Sequence, residues 1–214
     1  PPDPGVYEWL QCGRSAGQCT GEASEPEASE AITGISRPLP RRGLRTIVVS
    51  GPSSWTLGHA YAAEHYEEAE VSRDASAFYF LRLRVDLSLL IQKMSVAIIH
   101  NPPLKGFQIP AAQGSSWGGR FDDAGGAAVA DYSSTVVGKE EIEVGGQKIR
   151  TWLVETNVRL LGPMANGDIQ ARLWFAPELG ATVQEYKKQS LADAQGLTYS
   201  SEWMITLASL NPRT

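Results

Sequence analysis

The 214-residue chain predicts a mainly β fold: a curved, mostly antiparallel sheet or half-barrel with at most one or two short helices, preceded by an extended N-terminal arm. Three observations predict it. From Tyr79 to Ile91 every odd position is apolar (Tyr79, Leu81, Leu83, Val85, Leu87, Leu89, Ile91), while Arg82, Arg84, Asp86 and Ser88 fill even ones. That is the period of a strand with one buried face. Gly145-Gly146 separates two β-rich runs and suits a two-residue hairpin turn, in which both positions take positive φ. The last five apolar runs are joined by short turns, so they must be mostly antiparallel, because parallel neighbours need crossovers of about a dozen residues or more.

The elements follow in order. Residues 1–43 read as an extended or docking arm. Thr20 to Ser36 carries Glu22, Glu25, Glu27 and Glu30 with no Lys or Arg, and only Ile32 and Ile35 are large and apolar. Such a stretch cannot bury a core by itself. The run Arg37-Pro38-Leu39-Pro40 then favours an extended path. Tyr7, Trp9 and Leu10 make the arm a candidate for docking on a partner or a second copy, since a solvated tail has little use for them. Residues 44–214 read as one β-rich domain. Arg45–Ser50, Tyr79–Ile91 and Met94–His100 are expected strands, the last stopped by Pro102-Pro103. Tyr132–Val144, Lys148–Leu161, Ile169–Ala176, Leu179–Lys188 and Leu197–Leu210 complete the series, with turns at Ala165-Asn166-Gly167-Asp168 and Pro177-Glu178-Leu179-Gly180. His59–Glu70, rich in Ala and Glu, reads as a helix by propensity, although it also alternates loosely. No repeat at a fixed period is visible, which argues against solenoids and propellers.

Composition excludes several classes. A net charge of −5 without a dense basic run argues against a nucleic-acid binder. No apolar run approaches the roughly 20 residues of a transmembrane helix. Cys12 and Cys19 lie in a Gly-rich, polar stretch, with His59, His65 and His100 at least forty residues downstream, so zinc is not expected. Six residues intervene, against two in a redox motif. A small disulfide loop remains, which implies an oxidising compartment. The chain begins Pro1-Pro2-Asp3-Pro4 without Met, as a processed mature chain would. The expected location is therefore outside the cytosol: periplasm, cell surface or extracellular space.

Catalytic patterns are weak. Gly114-Ser115-Ser116-Trp117-Gly118 matches a nucleophile elbow, but its flanks, up to Gly125-Gly126, read as loops, and no His follows His100. Nothing selects a carboxylate pair among Asp86, Asp122, Asp123, Asp131, Glu140 and Glu141, and adjacent Glu140 and Glu141 would point to opposite faces of a strand. His59 and His65 would share one face of a strand, yet a metal needs more convergent ligands. Phosphate and dinucleotide fingerprints are absent, so no cofactor and no metal is expected.

The aromatics are the better lead. Trp55, Trp117, Trp152, Trp174 and Trp203, with Phe107, Phe121, Phe175 and Tyr186, either fill the core or line a concave apolar surface. Trp174 falls on the polar face of its strand, with Gln170 and Arg172. Candidate ligand or partner contacts are Trp117, Phe121, Trp152, Trp174, Tyr7 and Trp9. Pro102-Pro103 through Gly119, Val137–Val144, and Trp174-Phe175-Ala176-Pro177-Glu178-Leu179-Gly180 resemble exported bacterial β-rich proteins of mostly unknown function. Their fold is similar to the curved half-barrel of lipoprotein-localisation (LolA/LolB-like) carriers. The resemblance covers about residues 100–188 and implies fold more than function. The expected function is a non-enzymatic cell-envelope or extracellular binding and assembly protein. The alternatives are a carrier of an apolar ligand, lipid or lipoprotein-like, in the sheet's concavity, and a hydrolase built on Ser116 or a carboxylate pair.

Overall fold

A computed structural model describes residues 2–13, 18–89, 92–123, 129–162 and 166–213. Among them there are fourteen strands and no helix. They are β1 (Gly5–Cys12), β2 (Ser29–Ile32), β3 (Ile35–Pro38), β4 (Arg42–Gly51), β5 (Ser54–Ala62), β6 (His65–Arg73) and β7 (Ala77–Leu89). The second half supplies β8 (Gln92–Gln108), β9 (Ser116–Asp123), β10 (Val129–Val144), β11 (Gln147–Leu161), β12 (Asn166–Ala176), β13 (Ala181–Ala192) and β14 (Thr198–Leu207). All eight expected strands are present, seven of them within a few residues of their predicted bounds, and β8 runs eight residues past the expected end at His100. Leu90, Ile91, Gly125, Gly126 and Ala165 lie outside the described residues.

Every pairing is antiparallel, and β4 to β14 follow one another round the sheet. The expected curved sheet goes further than a half-barrel: β1 pairs with β4 on one side and β14 on the other, which closes a ring. The ring is irregular. β14 shares one edge between β1 and the β2–β3 hairpin, and among the described residues the β8–β9 ladder has two residue pairs, His100 with Asp123 and Asn101 with Asp122. Beyond that ladder, side chains replace backbone partners. The Trp117 indole donates to the Lys105 carbonyl at 2.8 Å, and the Lys105 N–H donates to the Tyr132 hydroxyl at 3.2 Å.

Turn chemistry explains the hairpins. Gly145 and Gly146 have φ of 56° and 81°, as the β10–β11 turn requires. The Asp74 carboxylate accepts the N–H groups of Ser76 and Ala77 between β6 and β7. Asp193 does the same for Gln195 and Leu197 between β13 and β14.

Four expectations are corrected. The arm over 1–43 is no separate body: Tyr7 and Trp9, flagged for docking on a partner, are buried in the chain's own core, Trp9 at 1% exposure. Alternation of Tyr7, Trp9 and Gln11 is strand periodicity, and β1 uses it to enter the ring. The helix over His59–Glu70 is the β5–β6 hairpin. Its inward positions, His59, Tyr61, His65 and Glu67, are polar or aromatic, so the code that marks a strand is inverted there and propensity misleads. Pro102-Pro103 do not end β8: they fall in the register shift of the β7–β8 ladder between the Arg82–Ile99 and Phe80–Leu104 pairs, where among the described residues no ladder bond asks for their missing N–H. Residues 109–115 before Ser116 are loop as expected, whereas the flank that follows it is strand β9, not loop. Gly118 permits it, since a Cβ there would stand 2.5 Å from the Tyr132 carbonyl oxygen.

The outer face carries cross-strand ion pairs such as Arg82–Glu70 at 3.1 Å, Arg172–Glu155 at 2.9 Å and Lys188–Glu202 at 3.6 Å. The inner face carries the large aromatics. Polar out and apolar in is the reverse of the pattern on a barrel whose outer face meets lipid. No helix is long and apolar enough to cross a membrane. Cys12 and Cys19 form a disulfide, with Cα atoms 5.7 Å apart, against the outer side of β14, where the Cys19 N–H donates to the Thr206 hydroxyl at 3.3 Å.

Candidate functional site: a two-part ring interior

Inward positions of the strands build two different regions inside the ring. Toward the end that holds Pro2, Asp3 and the Pro177–Gly180 turn, Trp55 on β5, Val71 on β6, Phe78 and Phe80 on β7, Phe107 on β8, Phe175 on β12 and Leu207 on β14 converge. They do not fill the space. A cavity of about 260 Å³ remains, lined also by Trp9, Ile47, Leu57, Val154, Leu173, Val183 and Leu210. Its aromatics brace one another: Phe107 stacks on Phe175 at 4.2 Å between ring centroids, and Phe78 meets Phe175 edge-on at 4.9 Å. The cavity's volume lies above the roughly 150 Å³ of a cavity that holds benzene and just under the roughly 300–1,000 Å³ of drug-sized ligand sites.

Below it lies an ionic layer. Arg45 on β4, one inward position deeper than Ile47, stacks on the Trp9 ring with its guanidinium carbon 3.9 Å from the ring centroid. It approaches Glu185 on β13 at 3.5 Å and the His59 Nδ1 at 3.3–3.4 Å. Glu67 on β6 accepts from the Lys187 ammonium at 3.1 Å through each oxygen, from the Tyr61 hydroxyl at 3.3 Å, and faces the His65 Nε2 at 3.4 Å. His65 Nδ1 lies 2.8 Å from Glu30 on β2, which also accepts from the Tyr199 hydroxyl at 3.0 Å and from Arg37 Nε at 2.6 Å. The β2–β3 hairpin thus plugs the far end with a carboxylate and a guanidinium.

These groups titrate abnormally. Burial opposes ionisation of Glu67, but the Lys187 charge and the His65 ring outweigh it and hold the carboxyl well below its usual range. Glu30 is also lowered: burial acts against it, and His65 and Arg37 win. His65 is raised, because its hydrogen bonds to Glu30 and Glu67 overcome the cost of burying a cation. His59 is pushed well down by burial and by the Arg45 charge, so it stays neutral. Burial raises Glu185 despite Arg45 and Lys187. Neutral His59 accepts from Arg45 at Nδ1, and its Nε2 has no partner among the described residues.

The residues singled out in the sequence scatter. Tyr7 and Trp9 line the cavity. Trp117 stands edge-on to the cavity residue Phe107 at 6.5 Å, and its indole is engaged by Lys105. Phe121 is buried in a separate cluster with Ala130 and Leu160, against His100 at 4.5 Å. Trp152 is half-buried, with the Lys139 ammonium 4.8 Å from its ring. Trp174, opposite Leu153 in register, is 6% exposed and donates to Glu140 at 2.6 Å. Ser116 is exposed on β9, and among the described residues its hydroxyl has no histidine partner. No group of three or more His, Cys, Asp or Glu side chains is placed to hold a metal among the described residues.

Sequence reasoning missed the ionic layer altogether. Arg45, Glu67, Glu185 and Lys187 each look like the solvated member of a strand. One signal was available: His59 and His65 flank a turn at Ala63-Glu64, so on a hairpin they fall on the same face as Tyr61 and Glu67.

Comparison of the chain with protein-family models, with curated proteins and with solved structures finds no match.

Proposed function

We propose that the protein is a non-enzymatic, exported binding protein that holds a small apolar ligand inside its ring. The observation that carries this reading is the 260 Å³ cavity walled by Trp55, Phe78, Phe107 and Phe175. A core that merely stabilises a fold closes to a packing density near 0.74, with few voids larger than a water. A void of this size gives up dispersion contacts on every wall residue unless something fills it. The disulfide supports export, because such bonds persist in oxidising compartments. Assembly through a free arm is not part of the proposal, since Tyr7 and Trp9 are used internally.

Equilibrium dialysis against naphthalene, which has no head group, tests the reading. The expected result is saturable binding of one molecule per chain. Leu57→Trp, which fills the cavity from β5, should weaken binding at least about tenfold without lowering the melting temperature. No saturation up to the solubility limit, or undiminished binding to Leu57→Trp, overturns it.

A further inference from the structure

The cavity is apolar on every side but one. Among the described residues that line it, Arg45 is the only cation, and it sits on the floor, away from the mouth formed by Pro2, Asp3, Leu179 and Leu210. Its contacts are long. Glu185 is at 3.5 Å and His59 at 3.3–3.4 Å, all engaging Nε or Nη2, and Nη1 makes no hydrogen bond among the described residues. A guanidinium carries five N–H donors in one plane, and stacking on Trp9 leaves that plane's edge open to neighbours. A buried guanidinium with spare donors facing an apolar void is a costly arrangement unless an anion completes it. The acids at the mouth do not contradict this. Glu178 is taken by Arg150 at 2.6 Å and, like Arg150, is exposed, so its field is paired and screened.

We infer that the ligand of the proposed cavity is an amphiphile with an anionic head, of the medium-chain carboxylate class, whose carboxylate meets Arg45 on the floor while its chain lies between Trp55, Phe78, Phe107 and Phe175. The inference rests on the apolar-ligand reading and adds the head group and its direction: head inward, chain toward the mouth. Charge-assisted bonds from arginine to a carboxylate are about twice as strong as neutral ones and are geometrically matched by the planar fork. An ammonium in the same place would face Arg45 with like charge.

Three probes with the same eight-carbon chain separate the possibilities: octanoate, 1-octanol and octylammonium, titrated calorimetrically against the intact, oxidised protein at neutral pH. Octanoate is expected to bind at least about tenfold more tightly than octanol, with octylammonium weakest. The double variant Arg45→Met/Glu185→Gln, which removes both members of the pair so that no charge is stranded, should keep octanol binding and lose the preference for octanoate. Equal affinity for octanoate and octanol, or tighter binding of octylammonium, overturns the head-group inference while naphthalene binding leaves the cavity reading standing. Failure of naphthalene and all three probes to bind overturns both. A double variant that still prefers octanoate shows that Arg45 is not the recognising group and overturns the inference on its own.

Discussion

The two ends of the ring interior are built from the same strands and solve opposite problems. β5 contributes Trp55 and Leu57 to the cavity and His59 and Tyr61 to the ionic layer; β6 contributes Val71 above and Glu67 and His65 below. The upper part is walled mainly by apolar side chains and incompletely filled. The lower part is filled, and its charged groups are paired with one another, with Nη1 of Arg45 the donor left over on the cavity side among the described residues. In the upper part each wall residue contributes by burial, on the order of 2 kcal/mol for a large apolar side chain, and tolerates change because a neighbour is already missing. In the lower part each charge is tolerable only because its partner is present, so removing one leaves another buried alone. The difference teaches that open space and the rigidity of the wall around it are separated along the ring axis. One end offers space, and the other fixes the strands that enclose it.

The comparison breaks most easily by substitution. Glu67→Ala is expected to cost about 3–5 kcal/mol, because Lys187 and His65 then face each other without the carboxylate between them. Leu173→Ala on the cavity wall should cost about 1–2 kcal/mol, at or below the bottom of the usual range for leucine truncation, since Leu173 is already half-exposed to the void. Urea denaturation of both variants checks the ordering, and equal losses would mean that the two ends are not energetically distinct.

A smaller effect is expected at the β8–β9 seam, which borders the cavity through Gly106 and Phe107. Trp117→Phe removes the indole donor from the Lys105 carbonyl and should cost about 1 kcal/mol. Amide exchange should accelerate at Lys105 and Gly106 and stay unchanged in β6 and β14.

The smallest expected effect is on pH dependence, and it should be confined to the ionic end. His65 is raised, so its contribution is complete below the unfolded histidine value of about 6.5 and is lost as pH rises through the folded one. His59 is lowered, so its contribution is complete above about 6.5 and declines as pH falls. Glu30 and Glu67, both lowered, hold their contribution above about 4.3 and lose it in acid. Chemical denaturation across pH 5 to 9 should therefore show greatest stability near pH 6.5. His65→Gln should flatten the alkaline limb. Naphthalene affinity should not change between pH 6 and 8, since the groups that titrate there lie outside the cavity wall.

How much of this was legible in the sequence follows the same division. The long strand over Tyr79–Ile91, described as far as Leu89, and the Gly145-Gly146 hairpin carry a clear sequence signal of alternation and turn chemistry, and they were read correctly as strands for that reason. Tyr7 and Trp9 carried the right signal, burial, but the Glu-rich residues between them and β4 hid that their host was this chain. The β5–β6 hairpin was unreadable by pattern because its inward face is polar, and alternation of His, Tyr, Glu and Ala does not contrast with its outward face. The acids and bases of the floor come from β2, β4, β6 and β13, up to 169 positions apart for the Glu30–Tyr199 contact, so only the closed ring brings them together. The aromatic wall was half legible: the residue types announced a concave surface, and Trp174 lies beside Gln170 and Arg172, on the polar face where its strand position placed it.

The pairing of Trp9 with Leu207 has a consequence for how such a chain matures. The first strand and the last one meet, so almost the whole polypeptide must be present before the hoop can shut. Until then β1 has β4 alone, the carboxylate of Glu30 lacks Tyr199, and the wall contributed by β14 does not exist. Contacts of such long sequence separation form slowly. Synthesis order thus sets the order of closure: the cavity lacks part of its wall until β14 has been delivered, so a chain truncated before it has no complete cavity.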